Sequence, residues 1–182
     1  MTNPDEKSCD VIFLDTETTG LDPEADEILQ ISVMNNSGEI LLNSYIRPEH
    51  KTEWTAAEAI NHISPQMVKN APLMSDIAPL ISKIMSGAKV AVAYNIDLDW
   101  HFISKALEEN GFDFENDTPE LRCCMKKFSE IYGEWDSERL RYRWQKLSTA
   151  ASYYNIPWRG QAHGSLADTF MCRDVWNKMN DD

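Results

Sequence analysis

Apolar positions along the chain follow two periods, and these divide it into strands and helices. Residues 10–14, 27–34 and 39–46 are β-rich runs, and the four residues Asn35-Asn36-Ser37-Gly38 between the second and third are turn chemistry. The chain is therefore expected to open with an antiparallel meander. Residues 55–62 and 64–69 read as short helices, the second with Ser64 as N-cap and Pro65 at the first helical position. Across 75–85, Ile77, Leu80, Ile81 and Ile84 recur at amphipathic-helix spacing. After Ser86-Gly87, Val90-Ala91-Val92-Ala93 reads as a short buried strand, and 97–109 as a helix closed by Asn110-Gly111. A further strand is expected near 121–124, then helices at about 126–132, 147–154 and 165–178. Strands first and alternating helix and strand afterwards imply an α/β layer fold with a mixed sheet.

No internal repeat or low-complexity linker divides the 182 residues, so a single domain over 1–182 is expected, with an ordered core of about 10–178. Hydrophobic residues make up 42% of the chain, enough for a substantial core. There is no apolar run of about eighteen residues, and the first ten residues are polar. These features argue against a membrane partner or a secretory leader and make a cytoplasmic location the expectation. Cys9, Cys123, Cys124 and Cys172 form no Cys-x-x-Cys pair, so reduced thiols are expected rather than a zinc site or a disulfide frame. With 17 basic against 30 acidic residues the net charge is −13, which disfavours tight non-specific binding to nucleic acid. It leaves metal-assisted chemistry on a phosphate open, because bound cations reverse the field that a phosphate feels.

The first chemical signal is Asp15-Thr16-Glu17-Thr18-Thr19-Gly20, directly after Val11-Ile12-Phe13-Leu14. In a strand, residues two apart share a face, so Asp15 and Glu17 can hold one divalent cation between them. An isolated Asp-x-Glu is more often a strand end with two solvated acids, and the metal reading needs partner acids further along the chain. The second signal is Tyr94-Asn95-Ile96-Asp97-Leu98-Asp99, where a strand gives way to a helix; there Asp97 reads as a capping acid. The third is His163-Gly164-Ser165-Leu166-Ala167-Asp168.

Taken in order, these segments resemble the DEDD superfamily of 3′→5′ exonucleases of the DnaQ-like type. That family combines an Asp-x-Glu strand motif with Asn-x-x-x-Asp and then His-x-x-x-x-Asp. Asn95 to Asp99 fits the second motif and His163 to Asp168 the third, while Tyr45-Ile46-Arg47-Pro48 and Ile63-Ser64-Pro65-Gln66-Met67-Val68 extend the likeness between motifs. His163 indicates the DEDDh subtype, because the sister subtype has Tyr four residues before the last acid and this chain has Gly164 there. The resemblance implies a ribonuclease H-like fold, with a mixed central sheet of about five strands flanked by helices. It also implies a metal-dependent 3′→5′ exonuclease that releases nucleoside 5′-monophosphates.

Four oxygen-only ligands, Asp15, Glu17, Asp99 and Asp168, suit hard octahedral cations, so two Mg²⁺ or Mn²⁺ ions are expected. Two such ions roughly 4 Å apart can activate a water and stabilise the leaving 3′ oxygen. An imidazole with an ordinary pKa near 6.5 suits the base, and His163 is the candidate. On one ideal helix, positions five apart differ by about 140°, so His163 and Asp168 cannot both be helical and face one site. Gly164 places His163 on the loop before a helix capped by Ser165; an alternative role for Asp168 is a capping-box-like pairing with Ser165. From such a loop His163 can swing in when substrate and metals bind.

For substrate contacts the resemblance points to Thr16, Thr18, Ile60, Asn61, His62, Ile63 and Asn95. The family's usual Ile-His-Gly-Ile-Thr reads Ile60-Asn61-His62-Ile63-Ser64 here, so the contact of the usual His moves to Asn61 or His62 or is lost. Core packing competes for Ile60 and Ile63, and a surface helix end for His62. Arg139-Leu140-Arg141-Tyr142-Arg143-Trp144 is a basic, aromatic segment that could steer a strand by charge and stacking, although alternating arginines also mark a solvated strand or loop. Trp54 could stack on a base or fill a core gap. The expected partner is nucleic acid with a free 3′ end, single-stranded by preference, with a polymerase or repair complex as a further partner. Thr18 favours DNA, since the small-RNA-degrading relatives usually carry Met at that position. An exoribonuclease is the runner-up, and a non-catalytic nucleic-acid-binding module would be expected to have lost one of the acids or the His.

Overall fold

A computed structural model describes residues 10–113, 118–159 and 164–181. Strands β1 (Val11–Thr18), β2 (Ile28–Asn35) and β3 (Ile40–Tyr45) form the antiparallel meander, with Asn35 to Glu39 closing the turn by backbone hydrogen bonds. On the other side of β1 lie β4 (Val90–Ala93) and β5 (Glu120–Cys123), both parallel to their neighbours, which gives the order β3-β2-β1-β4-β5. Parallel neighbours need long crossovers. Helix α3 (Met74–Gly87) precedes β4, and α4 (Ile96–Glu109) carries the chain from β4 to β5. The short helices α1 (Thr55–Asn61) and α2 (Pro65–Val68) lie between β3 and α3. After β5 come α5 (Cys124–Tyr132), α6 (Leu147–Tyr153) and α7 (Ser165–Asp181).

The alternation of β1 sorts the core into two layers. Ile12 and Leu14 pack with Ile81, Met85, Phe102 and Leu107 from α3 and α4. Phe13 faces the opposite way, toward Phe128, Ala150, Met171 and Val175 from α5, α6 and α7. Helices on both faces explain why all eight residues of β2 are buried. A third cluster joins Leu29, Trp54, Ile63 and Val68. Trp54 thus fills a core gap, and its indole N–H donates to the Ile63 carbonyl at 2.6 Å.

Several boundaries differ from expectation for local reasons. Strand β1 continues four residues past its apolar run, because β2 pairs with it as far as Thr18↔Ile28. Helix α4 starts at Ile96 rather than at 97, and α5 begins at Cys124, inside the segment expected as strand. Unexpected altogether is a small antiparallel ribbon, β6 (Trp135–Asp136) with β7 (Arg141–Tyr142). Among the described residues no helix is long and apolar enough to cross a membrane.

Candidate active site

Strand β1 presents Asp15 and Glu17 on the face of Phe13, toward α7. Their cross-strand partners on β2 are Ser32 and Gln30, which lie on that same face. These two polar side chains dock the start of α7. The Ser32 and Ser165 hydroxyls meet at 2.6 Å, Ser32 donates to Asn43 Oδ1 at 3.0 Å, and the Ser165 N–H reaches Gln30 Oε1 at 3.4 Å. Ser165 is therefore not the N-cap. Gly164 holds that place, since its carbonyl accepts the N–H groups of Ala167 and Asp168. With its amide on Gln30 and its hydroxyl on Ser32, Ser165 acts as a peg into the sheet. Asp168 follows in the first turn, and its carboxylate arrives beside Asp15 and Glu17.

Asp99 comes from the other face of the sheet. The ladder between β1 and β4 ends at Phe13↔Val92, which leaves the next part of β1 without a strand on that side. The first turn of α4 fills the opening: Asp99 Oδ1 accepts the Thr16 N–H at 2.9 Å and the Thr16 hydroxyl at 2.8 Å. Asp99 thus satisfies a Thr16 backbone donor that the sheet leaves unpaired, and Thr16 fixes Asp99 at the same time.

Asp15, Glu17 and Asp168 can each present a carboxylate oxygen within 4.8 Å of the others; Asp99 stands outside that trio. Burial raises the pKa of Asp15 well above the carboxylate range, and the neighbouring charges of Asp99, Glu17 and Asp168 add to the shift. Glu17 is pushed up to about 8 by burial and then by Asp168 and Asp99. Asp99 rises to about 6 through burial, against the two Thr16 hydrogen bonds that favour its charged form. No lysine or arginine among the described residues pairs with Asp15, Glu17 or Asp99. Crowded, partly desolvated carboxylates without an organic cation fit a hard divalent metal, which would relieve their repulsion.

The RNase_T exonuclease family model matches residues 12–175. The chain belongs to this exonuclease family. It is 35% identical over 168 residues to the uncharacterized exonuclease CP81 of Escherichia phage 186, covering 89% of this chain and 84% of that protein. Over 105 residues, 56% of the chain, it is 35% identical to the 3′-5′ exonuclease DinG of Staphylococcus haemolyticus, of which it spans 11%. The backbone superposes on E. coli exonuclease I in complex with a dT13 oligonucleotide with a TM-score of 0.78 at 16% identity, over 93% of this chain and 40% of that one. The fold is thus ribonuclease H-like, a five-stranded mixed sheet flanked by helices.

The remaining sequence candidates of this exonuclease separate into several roles. Ile60 is 61% exposed, whereas Ile63 is buried in the third core cluster and offers its side chain to Trp54 and Val68. His62 is exposed and closes α1 in a left-handed conformation, φ 60°. Thr18 donates its hydroxyl to the Gly20 carbonyl. A Cβ at Gly20 would meet the Asp26 carboxylate, so a larger residue there must displace that side chain from its contacts with Thr19 and Asp22. Asn95 is the N-cap of α4 by backbone: its carbonyl accepts from Leu98 and Asp99, while its side chain makes no capping bond. Asp97 does not cap either and pairs instead with Lys126. His163 lies outside the described residues.

Asn61 is buried and ties two segments together. Its amide donates to the Thr18 carbonyl at 3.2 Å, and its carbonyl accepts the Ile63 N–H at 3.0 Å. Truncation strands both backbone groups, at a cost of about 1–3 kcal/mol for such a buried polar group. Asn61→Ala is therefore expected to lower unfolding free energy by about that amount in urea denaturation. An unchanged midpoint would show that water replaces both contacts.

Sequence reasoning missed Thr16 as the anchor of Asp99, and Gln30, Ser32 and Ser165 as the dock of α7. For the dock a signal existed. Gln30 and Ser32 are the polar residues in the otherwise apolar run Ile28 to Met34, two apart and hence on one face, which marks a polar contact inside a buried strand.

Proposed function

We propose that this exonuclease removes nucleotides one at a time from the 3′ end of DNA, single strands by preference, and releases nucleoside 5′-monophosphates. The observation that carries the reading is the meeting of Asp15, Glu17 and Asp168 beside Asp99, from both faces of the sheet, at the end of β1. Support for the direction comes from the relative named as a 3′-5′ exonuclease, and for DNA from Thr18 and from the oligonucleotide complex of the structural neighbour. Relatives named DNA polymerase III PolC-type and subunit epsilon support a place beside a polymerase or repair complex.

Asp15, Glu17, Asp99 and Asp168 would hold two Mg²⁺ or Mn²⁺ ions. Bound there, such ions lower the pKa of a water and neutralise charge on the leaving 3′ oxygen. Thr16 occupies one oxygen of Asp99 and so leaves the other for a cation. The Ser32–Ser165 contact holds the α7 terminus, and with it Asp168, at a fixed height over β1. Thr16, Thr18, Ile60, Asn61, His62, Ile63 and Asn95 surround the end of β1 or the turn after α1, with Ile60 and His62 exposed to a terminal nucleotide. Asn61 and Ile63 act by holding that turn in place.

His163 takes the proton of the attacking water. His163→Ala is expected to lower the turnover rate by about 10²–10⁴-fold, the range of a general base. Divalent-metal stabilisation of the fold should be unchanged in that variant, and undiminished hydrolysis would reject the assignment. The function as a whole is tested with end-labelled single-stranded DNA, duplex DNA and RNA, in Mg²⁺, Mn²⁺ or chelator, with Asp15→Ala alongside. Stepwise, metal-dependent loss from the 3′ end of DNA is expected. Faster loss from RNA would reassign the substrate, and no loss from any substrate would sink the enzyme reading.

A further inference from the structure

The ribbon β6–β7 carries exposed aromatic surface that the fold does not use. Trp135 and Tyr142 are directly paired and 54% and 36% exposed, their rings edge to face at 5.2 Å. Trp144, 46% exposed, lies under the Arg141 guanidinium at 3.7 Å. A ribbon with two residues per strand has little stability of its own. It is held by polar contacts: Asp136 accepts the N–H groups of Glu138 and Arg139 and pairs with the Arg139 side chain, and Arg143 pairs with Glu134. Leu140 turns the chain in the left-handed region, φ 52°, and is 76% exposed. Arg139 and Arg143 are thus neutralised within the ribbon, whereas Arg141 is in no ion pair among the described residues.

The ribbon is also tied to the end of β4, from which the first turn of α4 starts. Just beyond β7, the Gln145 carbonyl accepts the Tyr94 hydroxyl at 2.8 Å, and Tyr94 directly precedes Asn95 and the first turn of α4 that bears Asp99. Lys126, which bonds Asp97 in that turn, lies close enough to Arg141 to feel its charge. Cationic and aromatic groups are thus linked to the helix that carries Asp99, in a chain whose net charge of −13 would otherwise repel a polyanion.

We propose that β6–β7 is the platform on which the single strand lies upstream of the bond being cut, with Trp135, Tyr142 and Trp144 stacking on bases and Arg141 contacting a phosphate. Flat rings beside a guanidinium that is stacked on Trp144 but in no ion pair among the described residues are the elements of sequence-tolerant strand binding, since every base offers a π face. An acidic protein partner would call on the arginine but not on three rings, and a purely apolar one would call on the rings but leave the guanidinium desolvated.

The proposal rests on the exonuclease reading, and two substrates separate the two. One is an oligothymidylate of about 20 nucleotides. The other is the 5′-p-nitrophenyl ester of thymidine monophosphate, which has no upstream nucleotides to reach the ribbon. For Arg141→Ala with Trp144→Ala, KM on the strand is expected to rise about tenfold. The slope of log KM against log salt should fall by about 0.7 for the lost phosphate contact. Ester cleavage and the melting temperature should match wild type. Wild-type KM on the strand in this variant overturns the platform, as does an equal loss on strand and ester. Wild-type protein that cleaves neither substrate overturns the exonuclease reading and the platform with it.

Discussion

Asp15→Asn is expected to lower phosphodiester hydrolysis by about a thousandfold or more while making the metal-free protein more stable at pH 8. The first effect comes from the loss of a carboxylate that would hold the catalytic cations. About 4 kcal/mol of transition-state stabilisation, the scale of Lewis-acid assistance, corresponds to three decades of rate. The second comes from the crowding of Asp15 with Glu17, Asp99 and Asp168, each of which raises its pKa on top of burial. An amide of the same shape removes one charge from that group without opening a cavity. Melting curves in chelator should therefore shift up at pH 8 and converge with wild type as pH falls toward about 4, where the raised pKa of Asp15 keeps it protonated in the folded chain and the unfolded chain takes up its proton too. A downward shift at pH 8 would mean that the Asp15 charge is compensated inside the fold, and the metal reading would lose its physical basis.

Removal of divalent metal is expected to abolish hydrolysis and to expose a pH dependence of stability that metal conceals. Glu17 and Asp99 have folded pKa values of about 8 and about 6, both raised. Free carboxyls titrate near 4, so above that pH the unfolded chain has lost protons that the folded one still holds. Folded stability is then fully present below about pH 4 and declines as pH rises through about 6 and about 8. Added Mg²⁺ or Mn²⁺ should reverse the decline by replacing protons, and its apparent affinity should weaken as pH falls through that window. At about 100 times Kd, binding adds about 2.7 kcal/mol, or roughly 5–10 °C in melting temperature for a chain of this size. Thermal scans from pH 5 to 9, with metal and with chelator, read this directly. Metal-free stability that rises with pH would show the carboxylates to be stabilised in their charged forms, leaving little for a cation to do.

The strands and helices of this chain were legible because their periodicity is local. The motif acids were legible too: two residues apart on a strand fixes a shared face for Asp15 and Glu17 whatever the rest of the fold does. Other features were hidden by the same logic. The Thr16–Asp99 contact joins residues 83 apart in sequence, and the Ser32–Ser165 contact joins residues 133 apart. Ser165 carried every local mark of an N-cap, yet Gly164 took the position, because a buried hydroxyl on the sheet gave Ser165 a better partner than its own helix. Asp97 likewise looked like a cap and found Lys126. Ile60 and Ile63 are indistinguishable by residue type, and the turn after α1 sends one to solvent and the other under Trp54.

By itself the sequence determined the order of the strands of the five-stranded sheet and of the helices, the family resemblance, and the shared face of Asp15 and Glu17. Tertiary structure decided where β4 stops along β1, and hence that an opening exists for Asp99 beside Thr16. It also decided how α7 sits on β2, and hence that Asp168 meets Asp15 and Glu17. The reason is physical: hydrophobic period and capping act over a few residues, whereas the site is made where two faces of one sheet exchange helices, and the distances there are set by packing across the whole core.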